Sequence, residues 1–125
     1  MKKKEIHTNK AGKSVGPYSQ AIEYNGIIYV SGVTAIDPLA GLPIGTVEDQ
    51  TEKILINIKE ILETAGSSMD KILKVTIFLK DVNDFSKVNA VYDKYFEKPY
   101  PARICVEVSR IPFGALVEID AIAHK

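Results

Sequence analysis

Apolar and polar residues alternate with period two over several short stretches of this chain and with helical spacing over two longer ones. Residues 18–24 (Tyr-Ser-Gln-Ala-Ile-Glu-Tyr) and 27–33 (Ile-Ile-Tyr-Val-Ser-Gly-Val) flank Asn25-Gly26. Asn-Gly accepts the positive φ angles of a type I′ turn, so the two stretches predict a β-hairpin. After a Gly/Pro-rich loop over 37–45, Thr46 and Asp49 have the spacing of a helix-capping pair. Ile54, Leu55, Ile58, Ile61, Leu62 and Ala65 then share one helical face, with Gly66 as its C-terminal stop. Val75, Ile77 and Leu79 alternate with Thr76, Phe78 and Lys80, a strand beginning at about residue 72. Asp81 to Asp84 make a turn into a second helix. Its stripe is Val88, Val91, Tyr92, Tyr95 and Phe96, and Lys98-Pro99-Tyr100-Pro101 ends it.

Two strands, 102–109 and 116–123, close the chain and are joined through Pro112-Phe113-Gly114. In the first, Ile104, Val106 and Val108 alternate with Arg103, Cys105 and Glu107. In the second, Val117, Ile119, Ala121 and Ala123 share one side and Leu116, Glu118, Asp120 and Ile122 the other. The order strands, helix, strand, helix, strands predicts an α+β sandwich with both helices on one face of the sheet. If the helices cover the valine side of each strand, the other side carries Leu116, Ile122 and Cys105 among Arg103, Glu107, Glu118 and Asp120. Such a surface is too apolar for water and too charged for a monomer's core. It predicts an oligomer whose sites lie between subunits.

The bulk composition narrows the function. The 125 residues suit one domain over 1–125, and 46% hydrophobic content is ample for a packed core. Sixteen basic and sixteen acidic residues give zero formal charge, which offers no drive toward nucleic acid or an anionic membrane. The lysines at 2–4 are followed by Glu5 rather than an apolar run, so a secretory signal is not expected, and no stretch approaches a membrane span. Cys105 is the only cysteine, which fits a reducing, cytoplasmic compartment, and His7 and His124 lack metal-ligand spacing.

Arg103 and Glu118 carry the most chemistry. By strand parity both are expected on the uncovered face, one a fixed cation whose planar fork matches a carboxylate, the other a tunable proton carrier. The same pair could equally be a cross-strand or intersubunit ion pair. Cys105 could be a nucleophile only with a basic partner, which neither histidine is placed to supply, so a small, mostly buried thiol beside the site is the preferred reading. Ser31-Gly32 would let a ligand approach backbone N–H groups, or is an ordinary strand end. Tyr18 could aim its ring into a pocket or belong to the core, and Asn89 could reach a ligand or cap a buried backbone group. From spacing alone, the residues describe a site for a small anion on a sheet face.

Several segments together resemble the RidA family, also called YjgF or reactive-intermediate deaminases. They are Gly16-Pro17-Tyr18-Ser19-Gln20-Ala21, Tyr29-Val30-Ser31-Gly32, residues 57–66, residues 75–89, Tyr100-Pro101-Ala102-Arg103 with Cys105-Val106-Glu107-Val108, and Ile111-Pro112 through Glu118 to Ala123. The resemblance covers nearly the whole chain in order. It implies a chorismate-mutase-like α+β fold, a mixed sheet with two helices on one face, a homotrimer, and three clefts between subunits. It further implies hydrolysis of 2-imino or 2-enamino acids (2-iminobutanoate, 2-iminopropanoate) to 2-keto acids and ammonia, with no metal or organic cofactor. Arg103 would grip the substrate carboxylate and Glu118 would position or activate water. Backbone groups at Gly32 and Cys105 would orient imine and water, while Tyr18, Ser31 and Asn89 would shape the pocket. Where many members have glutamine after Ser-Gly, this chain has Val33, which bears on substrate range. A non-enzymatic keto-acid or amino-acid binding module, and a chaperone or translation-inhibiting ribonuclease, are the competing readings. Zero net charge and the lack of an aromatic-basic surface argue against the ribonuclease.

Overall fold

In the computed structural model, which describes residues 2–125, Asn25 and Gly26 adopt φ angles of 53° and 76° and close a two-residue hairpin between β2 (Ala21–Tyr24) and β3 (Ile27–Val33). Left-handed backbone at both turn positions is what the Asn-Gly pair accommodates. A further strand, β1 (Lys4–Ile6), pairs antiparallel with β2 and was not expected. Three residues, two of them charged, are too few to show a period.

The first helix, α1 (Val47–Thr64), begins and ends as its sequence predicts. The Asp49 N–H donates to Thr46 Oγ1 at 3.2 Å and the Thr46 N–H donates to Asp49 Oδ2 at 3.0 Å, a reciprocal cap. At the other end Gly66 takes φ 80°, its N–H donates to Glu63 O, and the Ser67 N–H donates to Leu62 O. This Schellman arrangement satisfies carbonyls that the last turn would leave bare. Ile54, Leu55, Ile58, Ile61 and Leu62 are buried as one stripe, and Gln50 and Thr51 fall within it. The Gln50 Oε1 accepts from the Leu116 N–H at 2.9 Å, so α1 holds the residue that leads into β6 (Val117–His124).

β4 (Ile72–Leu79) leads through a turn at 82–84 into α2 (Phe85–Tyr92). That helix is shorter than its apolar stripe implied. Phe96 lies beyond its end, buried, with its ring stacked on Tyr92 at 4.2 Å between centroids. The stripe marked burial, which continues after the helix has stopped. β5 (Ala102–Glu107) follows.

The six strands form one sheet in the order β1-β2-β3-β6-β4-β5, antiparallel throughout except for β4 and β5. A parallel pair needs a crossover, and α2 lies within it. Buried residues from both helices pack with Ile28, Val30, Val75, Ile77, Leu79, Val117, Ile119, Ala121 and Ala123 in one core, so both helices cover the same face. The expected α+β sandwich with a mixed sheet is the observed one.

Strand β5, however, is turned over relative to its expected setting. Its register with β4 pairs Arg103 with Val75, Cys105 with Ile77 and Glu107 with Leu79, all three β4 partners being buried in the core. Arg103 and Cys105 therefore lie on the helix side. Ile104 and Val106 face the open side, 46% and 41% exposed. Leu116, also expected on the open side, packs against the core. Alternation alone says which residues share a side of an edge strand but not which side meets the helices. The pairing with β4 decides that, and the apolar side of β5 belongs to the open sheet face, where Ile122 and Phe78 lie in the same layer as Glu118 and Asp120.

Candidate functional site

Arg103 sits on edge strand β5 beneath α2. Its guanidinium carbon lies 4.8 Å from the centroid of the Tyr92 ring and 5.5 Å from that of Phe85. Those two residues are seven apart and fall on one helical face two turns from each other, with Asn89, half-buried, between them. None of the ion pairs among the described residues involves Arg103. A permanent cation is thus held against π faces without a carboxylate, which leaves its planar fork free for an incoming acid. Cys105, two residues on along the same side, is half-buried; burial pushes its thiol pKa up, against a smaller downward pull from Arg103. A thiol so placed stays protonated near neutrality.

Glu118 occupies the other face. Its place on β6 is opposite Phe78 of β4, and its carboxylate lies over Gly32 of β3. The contact is so close that a Cβ on residue 32 would meet Glu118 Oε2 at 2.5 Å. Gly32 is there because β3 carries one residue more than β6 between the pairs Val30↔Ala121 and Val33↔Ile119. The bulge contains Ser31 and Gly32, so these residues lie inside the strand rather than at its end. Burial raises the Glu118 pKa above its ordinary 4.5, and the neighbouring Asp120 raises it further. Like charge and partial desolvation both favour the protonated acid.

The bulge also holds the segment before β2. The Ser31 hydroxyl donates to Ser19 O at 2.7 Å and the Ser31 N–H donates to Gln20 O at 3.0 Å. Tyr18, next to Ser19, is exposed, and its hydroxyl accepts from the Val15 N–H at 3.4 Å. Tyr18, Ser31, Gly32 and Glu118 thereby form one set, linked through the bulge.

Arg103, Cys105 and Asn89 form a second set, which does not meet the first within the chain. Arg103 and Glu118 lie on opposite faces, two strands apart and three residues apart along the sheet. That is about 10 Å in each direction, with the sheet itself between them. The expectation that both occupy the uncovered face is therefore corrected for Arg103. An internal ion pair between them, the alternative reading, is excluded by the same geometry. Sequence reasoning passed over Phe85 and Gln50. The signal for Gln50 was a polar side chain inside an apolar helical stripe; for Phe85 it was its place four residues before Asn89 and seven before Tyr92.

Comparison with known proteins agrees with this fold. The family profile described as Endoribonuclease L-PSP matches residues 8–125. A RutC family protein of Pyrococcus abyssi is 50% identical over 126 residues, covering 100% of this chain and 99% of its own. The 2-iminobutanoate/2-iminopropanoate deaminase of Bos taurus is 45% identical over 122 residues, covering 97% of this chain and 89% of its own. The crystal structure of E. coli TdcF with bound serine superposes with a TM-score of 0.90 at 38% identity, over 98% of each chain. The chain belongs to this L-PSP family, the RutC and RidA proteins.

Proposed function

We propose that this protein hydrolyses small 2-imino and 2-enamino acids, 2-iminobutanoate and 2-iminopropanoate among them, to 2-keto acids and ammonia. The observation that carries the reading is Arg103, a cation free of any ion pair and lying against two aromatic faces. The name of the bovine relative and the bound serine of the TdcF structure, a small molecule with an amino-acid carboxylate, point to the same substrate class.

Arg103 and Glu118 can serve one substrate only if two copies of the chain contribute. Arg103, Cys105 and Asn89 of one protomer would face Glu118, Gly32, Ser31 and Tyr18 of the next, in a homotrimer with three such clefts. The apolar open face of the sheet supplies the reason to associate, since Ile104, Val106 and Tyr29 stand exposed on it in the single chain.

In that cleft the guanidinium binds the substrate carboxylate through two parallel hydrogen bonds and fixes the imine carbon in place. A protonated imine is already electrophilic, so no metal, cofactor or covalent intermediate is called on. Glu118, whose pKa burial and Asp120 raise in the single chain, takes a proton from water as the water oxygen bonds to the imine carbon. The protonated Glu118 returns its proton to the nitrogen of the resulting tetrahedral carbinolamine, the C–N bond breaks as the hydroxyl proton passes back to the carboxylate, and ammonia leaves with the 2-keto acid. The protonated Cys105 thiol is suited to a hydrogen bond beside the reacting centre, not to attack. The lone cysteine fits a reducing compartment, and no helix among the described residues is long and apolar enough to cross a membrane. Zero net charge gives no support to nuclease action on RNA.

The test is direct. Generate 2-iminopropanoate or 2-iminobutanoate in situ with an amino-acid oxidase or dehydratase and follow imine loss with and without protein. Acceleration by the wild type that is abolished in Arg103→Ala, with the fold retained by circular dichroism, supports the reading. A wild type that leaves the spontaneous rate unchanged, yet binds pyruvate, would transfer the same cleft to a non-enzymatic binding module.

A further inference from the structure

We propose that Phe85 and Tyr92 are positioning residues for Arg103, a two-ring cradle on α2 that holds the guanidinium in place for a carboxylate. The inference rests on the reading of Arg103 as the substrate's anchor and adds what makes that anchor rigid. An arginine on an edge strand would ordinarily be steadied by an acidic partner. Here none of the ion pairs among the described residues reaches it, and the guanidinium carbon lies 4.8 Å and 5.5 Å from two ring centroids instead. The chemical difference matters. A protein carboxylate would occupy the hydrogen-bonding fork and compete with substrate, whereas π faces attract the cation through its plane and leave the edge donors free.

The two rings are not equivalent. Tyr92 is buried, stacks on Phe96 at 4.2 Å, and has a hydroxyl with no hydrogen-bond partner. Its ring contributes to the cradle; burial pushes its pKa up, and its hydroxyl lies near enough to Arg103 for the guanidinium to pull it partly back down. Phe85 opens α2 and is 42% exposed, so little core packing requires an aromatic side chain there. A large exposed ring directed at a cation is better accounted for by the cation than by burial. The spacing of seven residues sets their Cα atoms two turns apart, about 10.5 Å along the axis, on the face that also carries Asn89, and the two side chains converge on one guanidinium. The helix thus presents two rings to Arg103 from one face.

The experiment compares Phe85→Leu and Phe85→Tyr with the wild type, and adds a series in which Phe85 is replaced by mono-, di- and trifluorinated phenylalanine. Two readouts are taken: the NMR signal of the Arg103 Nε–H, and the Kd for pyruvate with the KM and kcat for imine hydrolysis beside it. In the wild type, ring currents displace the Arg103 Hε resonance. In Phe85→Leu that displacement shrinks and Kd and KM rise about three- to tenfold. Phe85→Tyr, which keeps the ring, remains near wild type, and affinity falls stepwise with fluorination as the ring face loses negative potential. A purely structural Phe85 would show no fluorine gradient. An unmoved Arg103 signal in Phe85→Leu, or a flat fluorine series, overturns the cradle. If the wild type fails to hydrolyse imines while the Arg103 signal still responds, the deaminase reading falls and the cradle stands. If hydrolysis is normal and every Phe85 variant matches the wild type, the reverse holds.

Discussion

Gly32 and Glu118 are in contact across neighbouring strands, with no room for a methyl group between them: a Cβ on residue 32 would stand 2.5 Å from Glu118 Oε2 and 3.1 Å from its Cδ. The obstructed atoms are at the end of a flexible side chain, so Gly32→Ala is relieved by displacing the carboxylate rather than the backbone. The expected outcome is an unfolding midpoint close to wild type with imine hydrolysis reduced by about 10²-fold, the size of loss that a misplacement of about 1 Å brings. Paired thermal melts and kinetics check it. A variant that melts far earlier, or one with full activity, would count against the assignment of Glu118.

The raised pKa of Glu118 makes a pH prediction of definite sign. As the base for water, Glu118 must be ionised, so kcat/KM rises as pH climbs through a value above the ordinary 4.5, with an acidic limb displaced upward. For stability the sign is opposite. A carboxyl whose folded pKa lies above its unfolded value favours the folded state most below the unfolded pKa, and that contribution is lost as pH rises through the folded one. Glu118→Gln should therefore gain stability relative to wild type above that window and match it in stronger acid. Urea titrations at a series of pH values read the difference.

Replacing the fork with a point charge separates geometry from charge at Arg103. Arg103→Lys keeps a cation but has neither the planar double donor nor the delocalised face that lies on Tyr92 and Phe85. Its KM for the imine should rise by about 10-fold or more and its kcat should fall as well. The fold, read by circular dichroism, should be retained.

Charging the open sheet face tests assembly. Ile104 and Val106 are large, apolar and exposed in the single chain. Ile104→Asp with Val106→Asp should convert a species of three times 13.8 kDa into a monomer on sedimentation. Because the proposed cleft needs two protomers, hydrolysis should disappear with the trimer while the monomer's far-ultraviolet spectrum persists.

Gln50 offers a test of how the core supports the site. Gln50→Leu fills the same place but leaves the Leu116 N–H without its 2.9 Å acceptor. A fully buried unpaired donor costs about 1–3 kcal/mol, and this part-buried one should cost less, about 1 kcal/mol, which chemical denaturation should register. Two residues further on is Glu118, so kcat should fall along with stability.

Much of this was legible in the residues. The hairpin turn at Asn25-Gly26, the cap at Thr46 and Asp49, the stop at Gly66 and the buried stripe of α1 are local devices, and local sequence suffices to announce them. Strand β1 went unseen because three residues hold no pattern. The second helix was drawn too long because an apolar stripe reports burial, and Phe96 is buried without being helical. The resemblance of whole segments picked out Arg103, Glu118, Gly32 and their companions, while strand parity set Arg103 beside Glu118 on one face, which the register of β5 corrects.

By itself the sequence determined the fold class and, β1 apart, the succession of elements, since these depend on spacing, capping and turn preference over a few neighbours, while its candidate site residues came from the resemblance of whole segments. Only the tertiary structure decided which side of β5 meets the helices, and with it the separation of Arg103 from Glu118 onto opposite faces. Alternation is symmetric under a half-turn of the strand, and nothing within β5 breaks that symmetry. The register with β4, set by contacts between residues more than twenty apart in the chain, does.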